Sequence, residues 1–156
     1  MSLHSPIGDI SIAEDAGAIV AVDWGWGRDQ DATLLLRRAR EQLHAFLDGE
    51  LTEFALPLAP AGTPYQRRVW QTLCAVPYGE TRSYIDIARV AGGSARSVGQ
   101  ANGSNPIPLI IPCHRVIATT HLGGYSGGDG VATKRWLLAL EARGQPLLQP
   151  ITSAAA

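Results

Sequence analysis

The sequence predicts a small α/β unit followed by a mostly helical unit that contains a helix-turn-helix. Short β-branched runs lie near the N-terminus, a stretch rich in Pro, Ala and Gly at residues 57–62 divides the chain, and helical periodicity prevails after it. The 156 residues are 46% hydrophobic and 17% charged, which is enough apolar sequence for a folded core and excludes a disordered chain. We therefore predict one domain over residues 1–59 and a second over residues 60–156.

The N-terminal unit is predicted to consist of a hairpin and one helix. Ile7 to Ala13 and Ala18 to Trp24 are strand-like runs, and the acidic and glycine residues between them suit a turn. From Thr33 to Leu47, apolar residues recur at spacings of three and four, which predicts an amphipathic helix closed by Asp48-Gly49. The apolar face of this helix comprises Leu36, Ala39, Leu43, Phe46 and Leu47.

The C-terminal unit is predicted to begin and end with a helix. Thr63-Pro64 is a helix-start signal, and the apolar stripe that follows includes Cys74, which we therefore predict to be an inert core residue. Residues 107–111 are apolar and bracketed by prolines, which favours an extended segment that leads rigidly to Cys113. Thr133 to Ala142 is predicted to form the last helix.

Two short helices joined by a glycine turn are predicted between these segments. Ser83 and Asp86 have the spacing of a capping box and begin the first helix, which ends at Gly92-Gly93. The second helix, residues 94–102, is built from small residues and carries Arg96 in its first turn. This order matches a helix-turn-helix whose second helix lies close to a nucleic-acid backbone, with the arginine inserted into the groove or the base stack. A plain pair of packed helices is the alternative.

The charge of the chain divides at the same place as the predicted domains. Residues 1–59 carry four Arg against ten Asp and Glu, whereas residues 60–156 carry nine Lys and Arg against four Asp and Glu, so the net charges are −6 and +5. A basic C-terminal module favours a polyanion as partner, and the acidic unit beside it restricts contact to one face. Ordinary scatter of surface charge is the alternative.

Cys113, His114 and Arg115 place a thiol beside an imidazole and a guanidinium, directly after the apolar segment. A nearby base or positive charge raises the thiolate fraction of a cysteine and with it the reactivity. Neighbouring side chains in an extended strand point apart, so this pair can cooperate only if it lies on a turn. The residues therefore indicate a nucleophilic cysteine, and a structural cysteine is the alternative for the dipeptide taken alone.

The run Ile110-Ile111-Pro112-Cys113-His114-Arg115-Val116 is flanked by further motifs in a fixed order. Upstream stand residues 77–84 (PYGETRSY), residues 96–99 (RSVG) and Asn105-Pro106, and downstream stand residues 124–128 (GYSGG) and 134–141 (KRWLLALE). In these segments the chain resembles the O6-alkylguanine-DNA alkyltransferase family, also called methylated-DNA-protein-cysteine methyltransferases. The resemblance spans residues 5–145 and implies a ribonuclease H-like N-terminal unit and a winged helix-turn-helix-like C-terminal domain.

The resemblance also implies catalytic roles. Cys113 would take the alkyl group from guanine O6 in a single in-line displacement and would keep it irreversibly. His114 would be the base, held and polarised by Glu141 through a water. Tyr84 would donate a proton to N3 of the departing guanine, and Asn105 would stabilise the turn that presents the cysteine.

The resemblance implies binding roles for two further sets of residues. The flipped base would lie against Tyr125, Ser126, Val116 and Gly127. Arg96 would fill the gap that the base leaves in the duplex, because a base inside the stack cannot reach a buried thiol. The small-residue helix would sit in the minor groove, and the predicted DNA contacts are Ser94, Ala95, Arg96, Ser97, Gly99 and Arg115.

The partner expected from the resemblance is double-stranded DNA that contains O6-alkylguanine, with O4-alkylthymine as a second candidate lesion and a monomer as the active form. We expect no cofactor and no metal, because only two cysteines and few histidines are available as soft ligands. Apolar runs reach about seven residues, far short of the roughly 20 that cross a bilayer. The absence of a signal-like N-terminus favours the cytoplasm.

The chain departs from the family pattern at three places, and two other functions compete. Residues 117–124 are shorter than usual, residues 129–135 are longer, and the Gly92-Gly93-Ser94 turn lacks the common Asn-Pro-Lys. The main alternative is a protein that recognises alkylation damage without removing it. Such proteins carry another residue, usually tryptophan, at the position of Cys113, so the thiol favours transfer. A cysteine hydrolase would leave the helix-turn-helix unexplained.

Overall fold

A computed structural model describes residues 1–144, and residues 145–156, which end the predicted second domain, lie outside the described part. The N-terminal part is a three-stranded antiparallel sheet with one helix, and the C-terminal part is mostly helical with one short parallel strand pair. The elements are β1 (Ser2–Leu3), β2 (Ile10–Asp15), β3 (Ala18–Trp24), α1 (Leu34–Leu47), α2 (Pro64–Cys74), β4 (Arg82–Ser83), α3 (Tyr84–Ala91), α4 (Ala95–Gly103), a 3₁₀ turn (Cys113–Arg115), β5 (Val116–Ile117) and α5 (Val131–Arg143). This order of elements confirms the predicted fold class.

The N-terminal sheet has the order β1-β2-β3, with β2 and β3 paired as the predicted hairpin. Its first long strand begins at Ile10 rather than Ile7, because Ser5 and Gly8 close a turn in which Gly8 N–H donates to the Ser5 carbonyl at 3.1 Å. Helix α1 is capped by the Thr33 side chain. The buried face of α1 consists of the five predicted apolar residues, Leu36, Ala39, Leu43, Phe46 and Leu47.

Helices α2, α3 and α4 pack against one another and form the body of the C-terminal part. Each begins with a capping box, formed by Thr63 with Gln66, Ser83 with Asp86, and Ser94 with Ser97. The Trp70 indole N–H donates to the Ala101 carbonyl at 2.8 Å, which fixes α2 to α4. Gly92 and Gly93 both have positive φ and turn the chain between α3 and α4, as predicted for the helix-turn-helix.

Two predictions about the C-terminal part are wrong. Cys74 is exposed, because α2 ends at this residue and its side chain lies at the edge of the apolar stripe rather than beneath it. Residues 107–111 are not extended: the Ile111 N–H donates to the Ile107 carbonyl at 2.9 Å, and Leu109 has a φ of 73°. The chain therefore folds back in a tight, buried turn immediately before Cys113.

The N-terminal sheet and the helical part are in direct contact near this turn. The Val22 N–H of β3 donates to the Pro106 carbonyl at 2.9 Å, and Phe46 of α1 stands edge-on to the His114 ring at 6.4 Å between centroids. The first unit therefore packs against the segment that carries the predicted nucleophile. Within residues 1–144, none of the helices has the length and apolar character needed to cross a membrane.

Candidate functional site

The predicted nucleophile lies on a single 3₁₀ turn, Cys113–Arg115. The turn is closed by the Arg115 N–H, which donates to the Pro112 carbonyl at 3.0 Å. Cys113 is 5% exposed and His114 is fully buried. Because a 3₁₀ turn directs successive side chains about a third of a revolution apart, the thiol, imidazole and guanidinium point in three directions from one short segment. The expectation that Cys113 and His114 lie on a turn is confirmed.

Two asparagines hold this turn in place. Asn105 accepts the Ile107 N–H at 2.9 Å and donates to the Ile111 carbonyl at 2.9 Å, so one side chain spans the fold-back of residues 107–111. The Asn105 side chain also acts to lower the pKa of the Cys113 thiol. Asn102, on α4, donates to the Cys113 carbonyl at 3.2 Å. Sequence reasoning identified Asn105 but missed Asn102, which gave no signal beyond a polar residue on the inner side of a short helix.

Glu141, near the end of α5, is the centre of a buried hydrogen-bond cluster. Its Oε2 lies 2.6 Å from His114 Nε2, and its Oε1 accepts Arg115 Nε–H at 2.8 Å. A third bond joins Arg115 Nη2 to Oε2 at 3.0 Å, and the Gly79 N–H donates to Oε1 at 3.3 Å. The expected water between His114 and Glu141 is therefore replaced by a direct contact, because α5 packs closely enough on the turn for the carboxylate to reach the ring.

The prediction that Arg115 contacts DNA is wrong. Arg115 is 7% exposed, and besides its two bonds to Glu141 it donates from Nη1 to the Val76 carbonyl at 2.9 Å. Its guanidinium also lies 5.6 Å from the centre of the Tyr78 ring. A guanidinium that is bonded on all sides in the interior cannot reach a duplex. Arg115 instead joins the turn to the end of α2.

Burial sets the ionisation of the thiol and the imidazole. Burial raises the pKa of Cys113, which Asn105 and Lys134 oppose. Burial lowers the pKa of His114, although the hydrogen bond and charge of Glu141 act in the opposite direction. Burial alone would raise the pKa of Glu141, but the hydrogen bonds and charges of His114 and Arg115 lower it. The cluster at neutral pH therefore consists of a thiol, a neutral imidazole and a carboxylate.

The tautomer of His114 follows from this cluster. Since Nε2 faces a carboxylate at 2.6 Å, the ring proton belongs on Nε2 and is donated to Glu141. Nδ1 is then an acceptor, and it is buried with no hydrogen-bond partner among the described residues. The arrangement leaves a free lone pair on a buried base, one residue from the thiol.

The segment 123–130, which we term the substrate loop, lies beside the thiol. Burial raises the pKa of Tyr84, and an interaction with the Gly124 backbone acts to lower it. Burial also raises the pKa of Tyr125, with a contribution from Cys113. Both tyrosines therefore keep their hydroxyl protons at neutral pH. Of the other residues predicted to contact the base, Val116 and Gly127 are buried and Ser126 is exposed.

Lys134 is a site residue that sequence reasoning missed. It is fully buried on α5, and its Nζ donates to the Val116 carbonyl at 2.6 Å and to the Gly124 carbonyl at 3.2 Å. Burial lowers the pKa of Lys134 to about 8, while the nearby Cys113 acts to raise it. The sequence did contain an indication of its importance: Lys134 is the only lysine in the chain, and every other basic residue apart from histidine is an arginine.

Helix α4 has one charged side chain, which is exposed to solvent, and several residues that contact the rest of the protein. Arg96 is exposed in the first turn, where Ser94 caps the helix. The Ser97 hydroxyl forms a hydrogen bond with the Tyr65 hydroxyl at 2.8 Å and so contacts the protein interior. A side chain at Gly99 would meet the Tyr84 ring at 3.8 Å, so this glycine faces the active-site tyrosine. Ala95 is half-buried.

Comparison with known proteins covers both parts of the chain. Residues 2–60 match the family model of the 6-O-methylguanine DNA methyltransferase ribonuclease-like domain, and residues 64–143 match that of the 6-O-methylguanine DNA methyltransferase DNA binding domain. A methylated-DNA-protein-cysteine methyltransferase of Mycobacterium leprae is 44% identical over 153 residues, which cover 90% of each chain. The constitutive methylated-DNA-protein-cysteine methyltransferase of Bacillus subtilis is 40% identical over 152 residues, covering 88% of this chain and 92% of the relative.

Solved structures agree with the sequence comparison. The crystal structure of Mycobacterium tuberculosis OGT in complex with DNA superimposes with a TM-score of 0.83 at 42% identity and covers 94% of each chain. A second match is an O6-methylguanine DNA methyltransferase from Methanococcus jannaschii, with a TM-score of 0.64 at 27% identity, covering 91% of this chain and 93% of the other.

We predict that Glu141→Gln destabilises the fold by about 3–5 kcal/mol, because it leaves the buried guanidinium of Arg115 without its counter-charge. Glu80→Gln is the matched control: Glu80 pairs with Arg82 at 3.0 Å but is 52% exposed, so its loss costs about 1 kcal/mol or less. Urea denaturation at neutral pH measures both. Equal effects of the two substitutions would contradict the central role of the buried carboxylate.

Proposed function

The chain belongs to the O6-methylguanine DNA methyltransferase family, and from this premise we propose that it repairs DNA by moving the alkyl group of O6-alkylguanine to the sulfur of Cys113. The assignment of Cys113 as the acceptor of the alkyl group rests on one observation. Cys113 is a buried thiol on a turn whose next residue, His114, has one ring nitrogen bonded to Glu141 and the other free. Cys74, the other thiol, is exposed at the end of α2.

The reaction is a single displacement. A lone pair on Sγ forms the new S–C bond while the C–O6 bond of the alkylguanine breaks. The thiol proton passes to His114 Nδ1 by way of a bridging water, because the two groups make no direct hydrogen bond. Guanine leaves with the electrons of the broken bond and takes a proton at N3, for which the Tyr84 hydroxyl is the proposed donor. The product is a thioether, which is a poor leaving group, so each chain acts once.

His114 is suited to the role of base by its surroundings. Its lowered pKa keeps it neutral at neutral pH, and the hydrogen bond from Nε2 to Glu141 stabilises the imidazolium that forms when it accepts a proton. Asn105 orients the thiol and fixes the preceding turn. We assign Glu141 and Asn105 as positioning residues.

The base-binding side of the site is formed by the substrate loop and its supports. Tyr125, Ser126, Val116 and Gly127 are the proposed contacts of the flipped guanine. Lys134 is a positioning residue that joins β5 to the substrate loop through the carbonyls of Val116 and Gly124. Its cation also favours negative charge on the sulfur as the reaction begins.

DNA is the proposed partner, bound in its minor groove by α4. Because Cys113 is 5% exposed, a base inside the duplex cannot reach it, and the nucleotide must be flipped out of the stack. Arg96, exposed at the start of α4, is placed to fill the gap, and Ser94, Ala95, Ser97 and Gly99 keep the helix slim enough for a narrow groove. The net charge of +5 on residues 60–156 favours the phosphate backbone.

We also propose separate roles for the two domains and a cellular location. Residues 1–59 act as a scaffold and residues 60–156 carry DNA binding and alkyl transfer, with one chain sufficient for both. The reaction needs a reduced thiol at Cys113, which supports a cytoplasmic location.

The experiment that tests the function compares Cys113→Ala with Cys74→Ala. We expect Cys113→Ala to lose transfer from a labelled O6-methylguanine duplex while it still binds that duplex in a gel-shift assay. Cys74→Ala should retain transfer. Transfer by the Cys113→Ala variant would refute the assignment of the nucleophile. Selective lesion binding by the wild-type protein without any transfer would instead establish a damage-recognition protein.

The role of Arg96 is tested with duplex and free-base substrates. Arg96→Ala should slow repair of a duplex lesion by about tenfold or more, since base extrusion costs a few kcal/mol, and should leave the reaction with free O6-benzylguanine unchanged. Arg28→Ala, an exposed arginine of the acidic N-terminal unit, is the control. An equal loss of rate on both substrates in the Arg96 variant would contradict the proposed role of Arg96.

The pH profile follows from the directions of the two pKa shifts. Because the pKa of His114 is lowered, the base is lost only as the pH falls below about 6.5, and because the pKa of Cys113 is raised, the thiol persists beyond about 8.5. We expect a flat rate with O6-benzylguanine from about pH 6.5 up to the pKa of about 8 at which Lys134 loses its charge, with His44→Asn, an exposed histidine, unchanged. A tenfold rise per pH unit through neutrality would show attack by a preformed thiolate instead.

A further inference from the structure

We propose that Trp24, at the end of β3, sets the position of the substrate loop relative to Cys113 and thereby the size of the alkyl group that the site accepts. The inference rests on the proposed function of the loop. It assigns a specificity-determining role to a residue of the N-terminal unit, for which the motifs around the nucleophile provide no indication.

The first observation is a backbone contact. A Cβ atom built on Gly127 would lie 2.7 Å from Cε2 and 2.9 Å from Cζ2 of Trp24 and would overlap Nε1. The indole therefore lies directly on the Gly127 backbone, where no other residue type leaves room for it. Gly127 is buried by this contact, and Trp24 itself is half-buried.

The second observation concerns how the rest of the substrate loop is held. At its start, the Gly124 carbonyl accepts a hydrogen bond from Lys134 Nζ at 3.2 Å, and at its end the Asp129 N–H donates to the Thr133 hydroxyl at 2.8 Å. Both anchors belong to the helical part of the chain. The Tyr125 hydroxyl makes no hydrogen bond among the described residues. The Trp24 indole therefore connects the N-terminal sheet to the middle of the substrate loop.

The third observation is the composition of the loop. Residues 123–130 include five glycines, and Gly123, Gly128 and Gly130 have positive φ, so few side chains are available to hold the backbone in place. Within the loop, the Gly130 N–H donates to the Gly127 carbonyl at 2.8 Å and closes a turn at the residue that the indole contacts. Trp24, by contrast, ends a strand that pairs with β2 on both sides of one bulge, and Trp24 itself is paired with Ile10. The sheet thus supports a glycine-rich loop through one aromatic ring. Since a displacement of about 1 Å can cost about 10²-fold in rate, this support matters for a small alkyl group that fills little of the site.

The test measures rates of transfer from duplexes that contain O6-methylguanine or O6-benzylguanine. Trp24→Ala should slow methyl transfer by about tenfold, and the benzyl-to-methyl rate ratio should rise, because a relaxed loop loses the near-attack position of the small group while it admits the larger one. Trp24→Phe should recover part of the methyl rate. Trp26→Ala is the matched control: Trp26 lies two residues away, is 53% exposed and stacks on His4.

A double-mutant cycle tests whether the effect passes through Gly127. Gly127→Ala should raise the benzyl-to-methyl ratio in the wild-type background, because the new Cβ displaces the indole. In the Trp24→Ala background the same substitution should change the ratio much less, since no indole remains to be displaced and only the direct contact of Gly127 with the base is altered. Additive effects of the two substitutions would overturn the proposed contact.

The remaining outcomes separate the inference from the proposed function. An unchanged rate ratio in Trp24→Ala, with an active wild-type protein, overturns the inference alone. An equal loss on both substrates together with a lowered melting temperature shows a merely structural residue and overturns it as well. A wild-type protein that transfers neither group refutes both the function and the inference.

Discussion

The buried carboxylate of Glu141 is the constraint on which the site depends. It accepts hydrogen bonds from His114, Arg115 and the Gly79 backbone, and so joins the end of α5 to the nucleophile turn and to the segment after α2. A carboxylate without partners could not stay ionised in this interior, and a guanidinium there could not stay unpaired. Each member of the cluster therefore holds the others in place, and the imidazole acquires a defined tautomer as a result.

The same interior explains how a protein can carry a nucleophile that is used once. Burial raises the pKa of Cys113, so the sulfur is kept as a thiol until a substrate excludes water and a base takes the proton. Burial also keeps His114 neutral and ready to accept that proton. Lys134, pointing at two backbone carbonyls beside the sulfur, supplies positive charge without being a proton acceptor at neutral pH. Reactivity thus arises from the substrate complex and not from a permanently exposed thiolate.

Local rules predicted the helices, because their signals lie within one turn of sequence. The helix starts at Thr63 and Ser83 were predicted for this reason, as was the apolar face of α1. The motif around Cys113 predicted the site through a family resemblance, while chemistry alone indicated a nucleophile on a turn. The errors concern contacts distant in sequence. Arg115 had the composition of a DNA contact, but its partner lies 26 residues away on α5.

Local sequence patterns also failed to predict other features, because these depend on individual side-chain bonds and on packing. The fold-back at residues 107–111 depends on the Asn105 side chain and on burial rather than on proline preferences, and Lys134 becomes part of the site only when α5 packs against β5. The contact of Trp24 with Gly127 joins two units about 100 residues apart in sequence, which no local pattern encodes.

Transfer of the alkyl group to Cys113 is the central claim, and intact-protein mass spectrometry with peptide mapping tests it most directly. After incubation with a duplex that contains O6-methylguanine, each chain should gain the mass of one methylene group, located on Cys113, while the peptide with the exposed Cys74 stays unmodified. A gain on Cys74, or an unchanged mass in the presence of bound lesion duplex, would contradict the account.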